Sequence, residues 1–211
     1  MLIGHSRRRT SRDTRASLRV GLLRHGEVEG GSRFRGHTDD ALTAIGLQQM
    51  HAATDGKHWD RVISSPLTRC AAFANAFADR HSLPLTFDAR LKEMYFGIWE
   101  GCTAAELMAI DADALTRFWN APDKYPPPCG EPLARFQARV LDAWNDIVIG
   151  HAGQRVLVVT HGGVIRALLC HVLKQPLAQL QTFEVEHGGL YGVRVDDDGT
   201  ALSTPDAVRR V

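Results

Sequence analysis

Two hydrophobic rhythms alternate along this chain. Short, nearly unbroken apolar runs come first, at Val20–Leu23, Arg61–Ser64 and, most continuous of all, Val156–Thr160. Such runs fit strands covered on both faces, as in a parallel sheet flanked by helices. Between them the apolar positions recur at helical spacing. Thr43 suits the N-cap of a helix carrying Ile45, Leu47 and Met50, which Gly56 ends. Pro66 suits the first turn of a helix over Leu67–Arg80, with Phe73, Ala76 and Phe77 on one face. Glu131–Ile149 is the clearest amphipathic segment. Phe136, Val140, Trp144, Ile147 and Val148 share a face, and Arg139, Asp142 and Asp146 lie off it. Val164–Leu173 predicts another helix, Pro84–Phe87 a third strand, and Thr182–Val185 and Leu190–Val195 two late strands. The polar tail from Asp196 is expected to fray.

This alternation predicts an α/β fold, a three-layer α/β/α arrangement around a mostly parallel central sheet. Residues 94–130 read as a small helical cap inserted into it, with helical stretches over Thr103–Trp119 and a break at Pro126-Pro127-Pro128. Residues 20–211 are then a single domain. Residues 1–19 set Arg7, Arg8, Arg9, Arg12, Arg15 and Arg19 against Asp13 and lack an apolar signal core, which predicts a disordered basic arm or a start codon placed upstream of the true one.

Composition narrows the classes. The chain has 211 residues, 44% hydrophobic and 23% charged, as in an ordinary globular domain. A net charge of +1 argues against a nucleic-acid partner. No apolar stretch approaches the ~20 residues of a membrane helix. Cys70, Cys102, Cys129 and Cys170 are scattered without zinc-like spacing, which suits free thiols in a cytoplasmic protein. None of the ten histidines forms an HExxH pair.

Candidate chemistry sits where the strands stop. Val20–Leu23 runs into Arg24-His25-Gly26, Arg61–Ser64 into Ser65-Pro66 and on to Arg69, and Val156–Thr160 into His161-Gly162-Gly163. Parallel strands bring their carboxyl ends to one edge, where ligands of open α/β sheets bind. His25, His161, Arg24 and Arg69 therefore converge, and Glu93 enters from the loop before the cap. Guanidinium forks suit phosphate oxygens, and a histidine can act as a covalent nucleophile. Taken singly, Arg69 reads as a solvated helix residue and Glu93 as a surface acid.

Taken in order, the pieces resemble the histidine phosphatase superfamily, with its phosphoglycerate-mutase-like fold. They are Arg24-His25-Gly26-Glu27, Gly36, Leu42-Thr43-x-x-Gly46, Ser64-Ser65-Pro66-Leu67-x-Arg69, Glu93-x-x-Phe96-Gly97-x-Trp99-Glu100-Gly101, Gly130-Glu131 and Thr160-His161-Gly162-Gly163-Val164-Ile165-Arg166. The resemblance implies a phosphomonoesterase whose partner is a small-molecule phosphate ester, working in the cytoplasm without metal or other cofactor. It implies that His25 attacks phosphorus to give a phosphohistidine. Arg24 and Arg69 bind the phosphoryl oxygens. A protonated His161 is a third cationic donor, and the Gly162 N–H contributes at a helix start. Glu93 protonates the leaving alkoxide and later deprotonates water. Arg33, Arg35 and Thr38 are further candidates to reach the substrate. Val28 and Gly31 stand where many relatives carry Thr and Asn, and His187 where a small polar residue is common. Phe96-Gly97-x-Trp99-Glu100-Gly101 and the cap size are most similar to α-ribazole phosphatases, which remove a 5′-phosphate during nucleotide-loop assembly of cobalamin. A phosphoglycerate mutase, a sugar-phosphate or broad-specificity phosphatase, and a non-catalytic phospho-ligand module are the rival readings. The oligomeric state stays open, a dimer included.

Overall fold

The two most apolar runs lie side by side at the middle of the sheet. In the computed structural model, which describes residues 17–196, 199–203 and 209–210, the elements in chain order are β1 (Leu18–Arg24), α1 (Ala44–Thr54), β2 (Arg61–Ser64), α2 (Thr68–His81), β3 (Leu85–Phe87), α3 (Ala104–Asn120), α4 (Leu133–Gly150), β4 (Arg155–Thr160), α5 (Gly162–Val172), β5 (Phe183–Glu184), β6 (Leu190–Asp196), β7 (Gly199–Leu202) and β8 (Arg209–Arg210). Six strands form one sheet in the order β3-β2-β4-β1-β6-β7. β3, β2, β4 and β1 are parallel, and β6 and β7 extend the sheet antiparallel.

Successive strand residues face opposite ways, so each strand feeds two cores. Leu22, Val156 and Val158 face α4 and α5, and Leu23, Leu157 and Val159 face α1 and α2. Helices on both faces make the expected three layers. α4 docks through Leu133, Phe136, Val140, Ala143, Trp144 and Ile147, all buried. Large apolar side chains of this kind contribute roughly 1.5–3 kcal/mol each. α3 bends at Asp111, whose φ of −153° is not helical, and packs Leu107, Leu115 and Phe118 inward.

Several expectations are corrected. β1 begins at Leu18, because Leu18 and Val20 both reach the core while Arg19 between them points out. The remainder of the predicted arm, residues 1–16, lies outside the described residues. α1 does not bury Ile45, which is 57% exposed, or Leu47. Of the predicted apolar positions it buries Met50, together with Gly46 and Thr54. The reason is a backbone-to-backbone approach: a Cβ on Gly26 would strike the Gly46 backbone, and a Cβ on Gly46 would strike that of Glu27. On α2 the buried alanines are Ala74 and Ala78 rather than Ala76. The run at 182–185 does not join the central sheet; β5 pairs with β8 in a separate ribbon. The polar tail supplies β7, whose pairing with β6 gives its backbone groups partners that its side chains do not advertise.

Candidate active site

β1, β2 and β4 end at the same edge, and each delivers a different side chain there. His25 follows β1 and is 5% exposed. Its Nδ1 lies 2.8 Å from the Gly26 carbonyl. A carbonyl only accepts, so Nδ1 carries the proton and Nε2 keeps the lone pair. Burial, then the charges of Arg24 and Arg69, hold the His25 pKa well below the usual 6.5, so the ring is neutral.

His161 follows β4, is fully buried, and has its ring centroid 5.3 Å from that of His25. Arg69 Nε donates to His161 Nδ1 over 3.2 Å, so the neutral ring's proton is on Nε2, 2.7 Å from Ser65 Oγ. Burial and the charges of Arg69, His25 and Arg24 push this pKa down as well. The expectation of a protonated His161 is therefore corrected: among buried arginines the imidazole stays neutral.

Arg69, 1% exposed, lies one residue inside α2. The N-cap of that helix, Leu67, has no side-chain oxygen. Asp39 supplies the missing cap from the preceding loop, accepting from the Thr68 N–H at 2.6 Å and from the Thr68 hydroxyl at 2.8 Å. Arg69 in turn donates Nη1 to the Thr38 carbonyl and Nη2 to that of Gly36.

Arg24 ends β1. Its Nη1 donates to the Val185 carbonyl at 2.6 Å and its Nη2 to His187 Nε2 at 2.9 Å, while its Nε is buried without a protein partner. Burial and the nearby Arg166 lower its pKa to about 10. Gly162 opens α5 against this cluster, where a Cβ would press closely on the Arg24 and Arg166 guanidinium groups.

Glu93 reaches the same edge from the segment before the cap. Its Oε1 accepts from the Met94 N–H and its Oε2 from the Gly163 N–H, each at 2.9 Å. The Gly163 N–H thus positions the carboxylate, and a Cβ on Gly163 would collide with Glu93 Oε1. The backbone behind Glu93 is clamped by Arg139, which donates to the carbonyls of Arg90, Lys92 and Glu93 and pairs with Glu131. Arg139 lies off the apolar face of α4, as the sequence predicts, but it is spent on this clamp rather than on solvent.

The three further substrate candidates are turned to other work. Arg33 is exposed and donates to the carbonyls of Gly30 and Gly101. Arg35 pairs with Asp40 at 2.8 Å and donates to the Glu29 carbonyl. The Thr38 hydroxyl donates to Glu100 Oε2 at 2.9 Å. Glu100 also accepts from the N–H groups of His37, Thr38 and Phe96, so it fastens the 36–38 loop to the cap segment. Ser65, Glu100, Arg139 and His187 are the residues whose parts sequence reasoning did not assign. Glu100 and Ser65 stood inside recognised motifs, and His187 stood out as a departure. Beside His187 opens a cavity of about 470 Å³ that Glu27, Glu29 and Gly31 also line.

Buried guanidinium groups around two neutral imidazoles and one carboxylate, at the carboxyl edge of a parallel sheet, define a site for a phosphoryl group. The chain belongs to the histidine phosphatase superfamily (branch 1), whose family pattern matches residues 20–206. It is 32% identical over 182 residues to the adenosylcobalamin/alpha-ribazole phosphatase of Salmonella typhimurium, covering 81% of this chain and 87% of that one. It is 33% identical over 171 residues to the glucosyl-3-phosphoglycerate phosphatase of Mycolicibacterium vanbaalenii, covering 75% and 76%. The alpha-ribazole phosphatase of Shigella flexneri superposes with a TM-score of 0.77 at 28% identity, over 87% of this chain and 94% of that one. The protein is a phosphatase of this superfamily acting on small phosphate esters, and no helix among its described residues is long and apolar enough to cross a membrane.

Proposed function

We propose that the protein hydrolyses α-ribazole 5′-phosphate through a phosphohistidine on His25. The observation that carries the mechanism is the His25 ring itself: neutral, with Nδ1–H given to the Gly26 carbonyl and Nε2 bare. Nε2 attacks phosphorus, the P–N bond forms, and the ester P–O bond breaks. Glu93 in its acid form gives its proton to the departing alkoxide. In the second half a water attacks phosphorus, Glu93 takes its proton, the P–N bond breaks and phosphate leaves.

Phosphate monoester hydrolysis needs up to ~10²¹-fold acceleration. An acid–base group supplies about 10²–10⁴-fold, so charge stabilisation by the arginines carries much of the rest. Arg24 offers its unpartnered Nε–H, and Arg69 holds its fork at the same edge. His161 offers its Nε2–H as a neutral donor, because its Nδ1 already accepts from Arg69 Nε. Gly162, at the start of α5 between Arg24 and Arg166, keeps the approach open. Arg33, Arg35 and Thr38 act by shaping the loop.

The substrate choice is supported by the names and coverage of the relatives. The four cysteines, all free thiols, suit the cytoplasm. The test is turnover with EDTA present against α-ribazole 5′-phosphate, 3-phosphoglycerate, fructose phosphates and phenyl phosphate. A strong kcat/KM preference for α-ribazole 5′-phosphate is expected, together with loss of all turnover in His25→Ala. Equal turnover of the whole panel overturns the substrate, and wild-type turnover in His25→Ala overturns the nucleophile. Phosphate binding with no hydrolysis leaves the non-catalytic module.

A further inference from the structure

The segment Val185–Gly189 wraps the end of β1 at four points. The Val185 carbonyl accepts from Arg24 Nη1, and the His187 ring from Arg24 Nη2. The Gly188 N–H donates to the His25 carbonyl, and the Gly189 carbonyl accepts from the Arg24 N–H. Three of these contacts are made by backbone on the 185–189 side. The His187 contact alone depends on what residue stands there.

The geometry makes the contact consequential. Both terminal nitrogens of the Arg24 guanidinium are engaged, one by Val185 and one by His187. The edge that remains for an anion carries the buried, unpartnered Nε. Removing one of two anchors lets a planar fork swing about the other. His187 also stacks obliquely on His25, with centroids 5.5 Å apart.

We infer that His187 is a positioning residue, which fixes the Arg24 fork by accepting its hydrogen bond and so presents the Nε edge of Arg24 to the phosphoryl group. The inference rests on the phosphatase reading for what the fork binds. It requires a bare Nε2. Partial burial and the charges of Arg24 and Arg35 lower the His187 pKa to about 4, which keeps the ring an acceptor near neutral pH. The groups facing it are Arg24 from β1, His25 beyond it and Arg35 from the following loop, with Glu27 and Glu29 across the adjoining cavity and Glu186 beside it in sequence.

The experiment compares His187→Ala, His187→Asn and the wild type. Asn keeps a carbonyl acceptor and Ala does not. Binding of inorganic phosphate by calorimetry and kcat/KM for phenyl phosphate are measured from pH 4 to pH 8. A hydrogen bond to a charged group is worth about tenfold to a hundredfold. His187→Ala is expected to weaken phosphate binding and lower kcat/KM by that factor at pH 7, and His187→Asn to restore most of the loss. Equal behaviour of Ala and Asn with unchanged melting temperatures overturns the inference. A wild type that binds phosphate without turnover defeats the phosphatase reading and leaves the binding comparison to decide the role of His187.

Discussion

At the scale of single residues, the site depends on atoms that are missing as much as on those present. Gly163 shows this most sharply. Its N–H holds Glu93 Oε2, and the space where its Cβ would lie is filled by Glu93 Oε1. Gly163→Ala adds a good helix former near the start of α5, which favours the helix by up to ~1 kcal/mol. It also displaces the carboxylate, and a misplacement of about 1 Å costs on the order of 10²-fold in rate. The expected outcome is a variant with a near-native melting temperature and kcat reduced ~10²-fold. Retention of kcat removes Glu93 from its assigned place. Little of this was legible in the sequence. His25, His161, Arg24, Arg69 and Glu93 were, since each lies just past an apolar run or inside an ordered motif. Which glycine amide faces the acid, and that both histidines are neutral, depend on burial and on arginines brought together from distant segments.

At the scale of elements, the placement of Arg69 depends on a cap borrowed from another segment. α2 starts at Thr68 with Asp39 accepting its N–H and its hydroxyl. Replacing a capping Asp by Ala costs about 1 kcal/mol, and here the first turn carries Arg69. Asp39→Ala should lower the urea midpoint by a corresponding amount and raise KM for phenyl phosphate, because the frayed turn lets the guanidinium drift. A changed midpoint with an unchanged KM would show that Arg69 is held by His161 and the Gly36 and Thr38 carbonyls without help from the cap. Strands β1, β2 and β4 and helix α4 could be read from periodicity because their burial is apolar. α1 could not, because it docks by Gly46 against the backbone of Glu27, a contact that leaves no hydrophobic signature. β7 was missed for a related reason: an edge strand is held by backbone pairing with β6, and its sequence, Gly-Thr-Ala-Leu, is short and weakly patterned.

At the scale of the whole molecule, burying imidazoles among arginines ties folding to pH. His25 and His161 have folded pKa values well below 6.5, the value the unfolded chain regains. Between those limits the unfolded chain binds protons that the folded chain refuses, so stability rises with pH there and is lost as pH falls. Each such group changes stability by about 1.4 kcal/mol per pH unit within its window. The melting temperature should be level above about pH 7 and fall steadily below about pH 6.5, with a shallower fall in His25→Ala. An equal slope in that variant would show that His25 is not held neutral by the fold. The mostly parallel sheet and the three layers followed from strand–helix alternation, whereas this acid sensitivity follows from where the layers place their charges. The Arg139 clamp carries a different implication, for how such a chain can diversify. By gripping the backbone carbonyls of Arg90, Lys92 and Glu93 from α4, it fixes the acid from behind, upstream of the segment at 94–130. Changes there that keep the Met94 N–H and Glu100, which hold Glu93 and the 36–38 loop, can therefore explore new leaving groups while the acid stays in register.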